Sequence, residues 1–278
     1  MKSIVDVCAP AKINLFLHIV GRRTDGYHLL ESVFTLIDWC DTLHFDVRSD
    51  GAISREDLTQ PLPVDDLVVR AARALQHASG TSLGAHIGIA KQIPSQAGLG
   101  GGSSDAASTL LALNRLWKLN LRLDQLQAIG VQLGADVPFF LGGHNAWVRG
   151  IGEQIEPLDL PPARFLVVKP HQGLATERIF SHPQLKRDTQ AAILSRFVAD
   201  VFGFGQNDLQ PVARQLCPEI DLALDWLSQQ GLSGRMTGSG SAVFARVLPG
   251  FEASDPPRSM LSRLRNTLPV HPLHGWAG

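Results

Sequence analysis

The chain has 278 residues, 44% hydrophobic and 18% charged, with 25 Lys and Arg against 26 Asp and Glu. That mixture supports a buried core, does not describe a disordered chain, and leaves no basic excess for a nucleic-acid backbone. No apolar run approaches the roughly 18 residues of a membrane span, and the start, MKSIVDVCAPAKIN, lacks a signal-type apolar core, so no membrane association is expected.

Three cysteines, Cys8, Cys40 and Cys217, stand far apart without a CxxC pair. They read as thiols in a reducing cytoplasm, with neither a structural zinc site nor a disulfide framework. The opening of the chain is sheet-heavy. Residues 3–9 form one expected strand, interrupted by Pro10, and residues 13–20 form a second that runs into an Asp25-Gly26 turn. Residues 29–37 and 42–47 are two more. Over residues 66–78 the period becomes helical, with Leu67, Val68, Ala71, Ala74 and Leu75 on one face. Residues 83–90 return to a strand pattern ahead of Pro94. After a glycine-rich turn, residues 103–116 and 122–133 read as helices. Gly134-Ala-Asp-Val-Pro138 is a polar break before Phe139-Phe140-Leu141. Pro157, Pro161 and Pro162 suggest a boundary near residue 160, dividing the chain into 1–160 and 161–278. Beyond it, residues 165–168 and 242–247 are expected strands, and 191–202 and 222–230 expected helices. The tail, PVHPLHGWAG, shows no period and is read as a loose end.

The strongest local signal is Gly98-Leu-Gly-Gly-Gly-Ser-Ser104. Four glycines here allow unusual dihedrals and close approach by a ligand. The helix that follows adds unpaired N–H groups and a partial positive charge, which together make an anion site. Ser103 and Ser104 add hydroxyls that can reach a phosphate or its Mg²⁺. A flexible turn before a Ser-capped helix is the plainer alternative. The segment is neither GxxxxGK[ST] nor GxGxxG. Lys12, at the head of an apolar strand, is either edge protection or a cation aimed at phosphate. Asp136, between small residues and Pro138, is either a turn carboxylate or a proton acceptor. Phosphoryl transfer to an alcohol uses such a pair: a carboxylate for the hydroxyl proton and a lysine for the developing charge.

Together these residues resemble the GHMP kinase superfamily. Four segments carry the likeness: APAKINLFLHIVGRRTDGYHLLESVF at 9–34, PSQAGLGGGSSDAAS at 94–108, LGADVPFFL at 133–141 and MTGSGSAVFA at 236–245. They span nearly the whole chain. The resemblance implies an α/β (α+β) fold of two domains, ribosomal-protein-like at the N-terminus and ferredoxin-like at the C-terminus, with the substrates in the cleft between. GRRTDGYHLLESVF is similar to members whose acceptor is a cytidine-diphosphate-linked methylerythritol. The implied reaction moves the γ-phosphoryl group of ATP to its 2-hydroxyl, in non-mevalonate isoprenoid precursor synthesis. A different GHMP kinase, acting on homoserine, mevalonate or a sugar, is the near alternative. A non-catalytic nucleotide-binding protein is the distant one, and the presence of both Lys12 and Asp136 argues against it.

Residue by residue, the resemblance makes Lys12 and Asp136 catalytic. It carries the ATP loop onto Pro94, Ser95, Gln96, Ala97, Gly98, Leu99, Gly100, Gly101, Gly102, Ser103 and Ser104. Asn14 orients substrate, Tyr27 stacks on cytosine and His28 bonds to its polar edge. Thr176 and Phe180 form the opposite wall. Gly238, Ser239 and Gly240 form a second glycine motif beside the substrate. Mg²⁺ is expected with ATP, held by phosphates, serine hydroxyls and water rather than by a carboxylate pair. Asp66 stands where members often carry Asn, and Ser241 where they often carry Pro or another small residue. A cytoplasmic monomer or weak homodimer is expected.

Overall fold

The computed structural model describes residues 1–277. Two long strands form its trunk, β1 (Ser3–Arg22) and β2 (His28–Arg48), paired antiparallel. Each takes in two of the strands expected from sequence. Pro10 does not end β1. The ladder shifts register between Pro10 and Ala11, and an irregularity of this kind accommodates a residue that has no N–H to offer. The same pairing places Cys8 opposite Thr42 and Cys40 opposite Pro10. Cys8 and Cys40 are joined as a disulfide, leaving Cys217 as the free cysteine. Three free thiols were expected; separation along the chain concealed a contact that strand register creates.

Then come β3 (Ile53–Asp57), helix α1 (Leu67–Ser79) and β4 (Gly84–Ala90). Asp66 caps α1 by accepting from Val69 N–H at 3.1 Å, and its carboxylate pairs with Arg55 at 2.6 Å. Helix α2 (Gly101–Leu116) starts inside the glycine run, two residues before the expected point, and α3 (Leu123–Leu133) follows. The expected polar break is present at residues 134–136, and its last two residues with Phe139-Phe140-Leu141 form a short helix, α4 (Val137–Gly142), with Pro138 in its first turn, where the missing N–H costs no bond. Strands β5 (Ala146–Gly150), β6 (Gln154–Pro157) and β7 (Arg164–Pro170) lead to α5 (Thr176–Phe180) and α6 (Leu194–Ala199). The helix expected over 191–202 is thus reduced to α6. Last come α7 (Gln210–Leu216), α8 (Glu219–Gln229), β8 (Arg235–Met236), β9 (Val243–Val247) and β10 (Met260–Leu268).

Along the edge opposite β1, β2 pairs successively with β5, β10 and β4. Strand β10 also pairs with β7, which continues to β9 and β8. The sheet order is therefore β3-β4-β2-β10-β7-β9-β8. Phe34 and Leu36 face the helices α1 and α2, while Val33 and Ile37 face a second core with Phe165, Phe197 and Phe244. Burial on both faces explains why β1 and β2 read as nearly continuous apolar runs. A third core joins β7 and β9 to α7 and α8.

The tail is docked rather than loose. His271 N–H donates to Gly143 O at 2.7 Å, and the His271 ring is buried with Nε2 3.4 Å from Ser108 Oγ. Arg115 lies over the Trp276 ring at 4.6 Å. Among the described residues, no helix is long and apolar enough to cross a membrane.

Candidate active site

The glycine loop is held between β1 and the second glycine motif. Lys12 N–H donates to Leu99 O at 2.9 Å, while Ser241 and Ala242 N–H donate to Gln96 O and Ala97 O, each at 3.2 Å. At Gly98, φ is +73° and an added Cβ would lie 2.2 Å from Thr237 O. At Gly100, also at φ +73°, it would lie 2.9 Å from the Phe140 ring and 3.2 Å from Lys12 Cγ. Glycine is required here by left-handed backbone and by neighbours already in contact. Gly100 immediately precedes α2, whose first turn carries no acidic residue, so the N–H groups and dipole at its start favour an anion.

Lys12 is buried with its side chain 4% exposed, and its Nζ lies 3.5 Å from Asp136 Oδ2, whose side chain is 30% exposed. Lys12 Nζ also donates to Asn14 Oδ1 at 2.7 Å and lies 4.5 Å from the centroid of Phe34. Asn14 is fixed in turn. Its side-chain amide donates to Ser32 Oγ at 2.9 Å, and its backbone N–H donates to Thr237 Oγ1 at 2.9 Å. Lys12 therefore has a set position, and Asp136 presents a carboxylate beside it at the start of α4. Residues 124 apart in sequence meet because the loop before α2 bonds to β1 at Lys12 and α4 packs against α2.

These groups open into one cleft of about 790 Å³, which takes in Lys12, Asn14, residues 94–103, Asp136, Thr176, Phe180 and Gly238–Gly240. Ser104 turns inward instead. It is fully buried, and its hydroxyl has no partner among the described residues. Thr176 Oγ1 and Ser239 Oγ lie 2.7 Å apart, tying α5 to the second glycine motif. At the α5 end, the His28 and Phe180 ring centroids are 5.2 Å apart. Tyr27 sits on the turn between β1 and β2, 61% exposed; the ring that meets Phe180 is His28's.

Sequence reading missed a charged cluster under the loop. Lys91 Nζ donates to Asp105 Oδ2 at 2.5 Å and also to Asp41 Oδ2. Asp41 Oδ1 accepts from Gln92 N–H at 2.5 Å and Ile93 N–H at 2.8 Å, anchoring the entry to the loop on β2. Burial above all pushes Asp105 up to about 8; Lys91 opposes the rise, and the Asp41 charge adds to it. Asp105 directly follows the GLGGGSS signature, but Asp41 lies within the apolar β2 and Lys91 just past the end of β4, neither in a motif. Thr237 was legible only as part of MTGSGSAVFA.

A loop of backbone donors at a helix start, facing a fixed Lys–Asp pair, defines a small-molecule kinase of the GHMP type. The family profiles "GHMP kinases N terminal domain" and "GHMP kinases C terminal" match residues 66–144 and 190–268. The chain is 68% identical over 277 residues to the 4-diphosphocytidyl-2-C-methyl-D-erythritol kinase of Albidiferax ferrireducens, covering 100% of this chain and 96% of that one. It is 62% identical over 295 residues to the enzyme of the same name from Variovorax paradoxus, with 100% of both chains covered. A crystal structure of 4-(cytidine 5'-diphospho)-2C-methyl-D-erythritol kinase superposes with a TM-score of 0.78 at 32% identity, over 94% of this chain and 98% of that one. A homoserine kinase from Cytophaga hutchinsonii shares the fold, with a TM-score of 0.70 at 16% identity over 98% of this chain and 96% of that one. The chain belongs to the family of 4-diphosphocytidyl-2-C-methyl-D-erythritol kinases.

Proposed function

We infer that the chain transfers the γ-phosphoryl group of ATP to the 2-hydroxyl of 4-diphosphocytidyl-2-C-methyl-D-erythritol, giving ADP and the 2-phosphate. The observation that carries this reading is the Lys12–Asp136 pair, 3.5 Å apart, in the same cleft as the start of α2. In the transfer, the bond from the γ-phosphorus to its bridging oxygen breaks as a bond to the alcohol oxygen forms. Asp136 takes the hydroxyl proton. Lys12 donates to the transferred group, where negative charge is spread over the equatorial oxygens. Backbone N–H groups of residues 98–102 hold the other phosphates, and Asn14 keeps Lys12 on target.

Ser103, on the cleft, would supply a hard oxygen donor of the kind Mg²⁺ prefers, whereas the buried Ser104 hydroxyl lies outside the cleft lining. No cluster of three or more His, Cys, Asp or Glu residues among the described residues suits a protein-held ion. Mg²⁺, when bound, would neutralise phosphate charge, with Ser103 and water as its donors beside the nucleotide. The cytidine end is assigned to His28, Phe180 and Tyr27, with Tyr27 turning in from its exposed position, and Thr176 and Ser239 form the wall alongside. Domains of 1–160 and 161–278 and a cytoplasmic setting fit this reading. The test offers ATP and Mg²⁺ with the cytidine alcohol, mevalonate or homoserine, and follows product by ³¹P NMR. Phosphate should appear only on the cytidine compound; transfer to mevalonate or homoserine in its place would overturn the assignment.

A further inference from the structure

Arg187 lies outside every motif that points to the site, yet its guanidinium is fully engaged at the cytidine end. Its Nε donates to His28 Nε2 at 2.9 Å. One terminal nitrogen donates to Leu185 O at 2.8 Å, and the other donates to His182 O at 2.8 Å and reaches Phe180 O at 3.5 Å. A single planar fork thus ties the chain following α5 to the first residue of β2. A lysine, with three donors at one point, cannot reproduce that geometry.

The chemistry of the contact settles the His28 tautomer. An arginine Nε only donates, so His28 Nε2 accepts and the ring proton sits on Nδ1. Among the described residues no acceptor takes that Nδ1–H, which leaves it free for a ligand. The charges acting on the ring are the guanidiniums of Arg187 and of Arg22 at the end of β1. Burial first, and then these two cations, lower the His28 pKa and keep the ring neutral.

We propose that Arg187 is a specificity-positioning residue that holds His28 as the neutral Nδ1–H tautomer beside Phe180, so that the ring offers one fixed donor to an acceptor on the edge of a pyrimidine base. The inference rests on the assignment of this end of the cleft to cytidine. Cytosine presents ring-nitrogen and carbonyl acceptors that a neutral N–H recognises. A charged imidazolium would donate from both nitrogens and would be repelled by Arg187.

The tests are nitrogen NMR of His28 and steady-state kinetics of Arg187→Met, Arg187→Lys and His28→Ala, with melting curves to confirm folding. In the native protein, His28 should show a protonated Nδ1 and a bare Nε2 at pH 8. Arg187→Met should raise KM for the cytidine alcohol about tenfold at pH 8, with KM for ATP within twofold. That KM should rise further towards pH 6, because losing the neighbouring cation raises the His28 pKa. Arg187→Lys keeps the charge, so it should raise KM without the added acid dependence. A native ring protonated at Nε2, or an alcohol KM within twofold in Arg187→Met, overturns the proposal. An unchanged alcohol KM in His28→Ala overturns the cytidine assignment itself. A raised KM there with normal Arg187→Met kinetics removes only the role of Arg187.

Discussion

Replacing Asp136 by Asn tests the chemistry most directly. The change keeps the shape of the side chain and removes its charge and basicity. Lys12 should stay in place, because Asn14 Oδ1 at 2.7 Å and the Phe34 face still hold it. At 3.5 Å and an effective dielectric near 20, the lost attraction is about 5 kcal/mol before desolvation. With Asp136 30% exposed, solvent reduces this to about 1 kcal/mol of stability. The kinetic effect should be much larger. General-base assistance contributes about 10²- to 10⁴-fold, or roughly 3–5 kcal/mol of barrier. We therefore expect kcat to fall at least about a hundredfold, with KM for ATP nearly unchanged and melting only slightly altered. A double-mutant cycle with Lys12→Met should be strongly non-additive, because the two side chains act on one transferring group. A kcat within tenfold of the parent, or strict additivity, would refute the assignment of Asp136 as base and Lys12 as its partner.

Gly98→Ala forces a left-handed alanine, at a cost of about 1–2 kcal/mol, against the Thr237 carbonyl. It should lower stability by at least about 2 kcal/mol and raise KM for ATP; unchanged melting and KM would show that the two glycine motifs are not interlocked. Asp105 is raised to about 8, so its contribution to stability is full below the unfolded carboxylate range and is lost as pH rises through 8. Asp105→Asn should gain on the parent between pH 4 and 8, by up to about 1.4 kcal/mol per unit; parallel urea curves across that range would contradict it. Burial, helped by His274, lowers His271 to about 3, so the neutral ring stabilises fully above pH 6.5 and that contribution is lost as pH falls towards 3. The parent should weaken by up to about 1.4 kcal/mol per unit below pH 6.5, while His271→Asn should show a flatter acid limb in thermal melts; equal slopes would remove His271 from the cause.

Chemistry carried by contiguous residues was legible without coordinates. GLGGGSS signals a backbone anion site because glycine dihedrals and a helix start are local properties. The helical periods of residues 66–78 and 103–116 predict α1 and α2 for the same reason. GRRTDGYH and LGADVPFFL carry the family resemblance and, with it, the candidate base and acceptor. Tertiary structure decided what depends on pairing and proximity. Pro10 looked like a strand end, but a register shift absorbs it within β1. Cys8 and Cys40 looked unrelated until antiparallel pairing brought them together. The histidine-rich tail looked loose because burial against Gly143 and Ser108 leaves no period in sequence. The Asp41–Lys91–Asp105 cluster and the Arg187–His28 contact were hidden for the same reason: hydrogen bonds across dozens or hundreds of residues have no local signature. Sequence by itself named the groups chemically suited to holding and moving a phosphoryl group. Only the fold, by packing α2 on β1 and α4 on α2, decided that Lys12 and Asp136 face the same cleft.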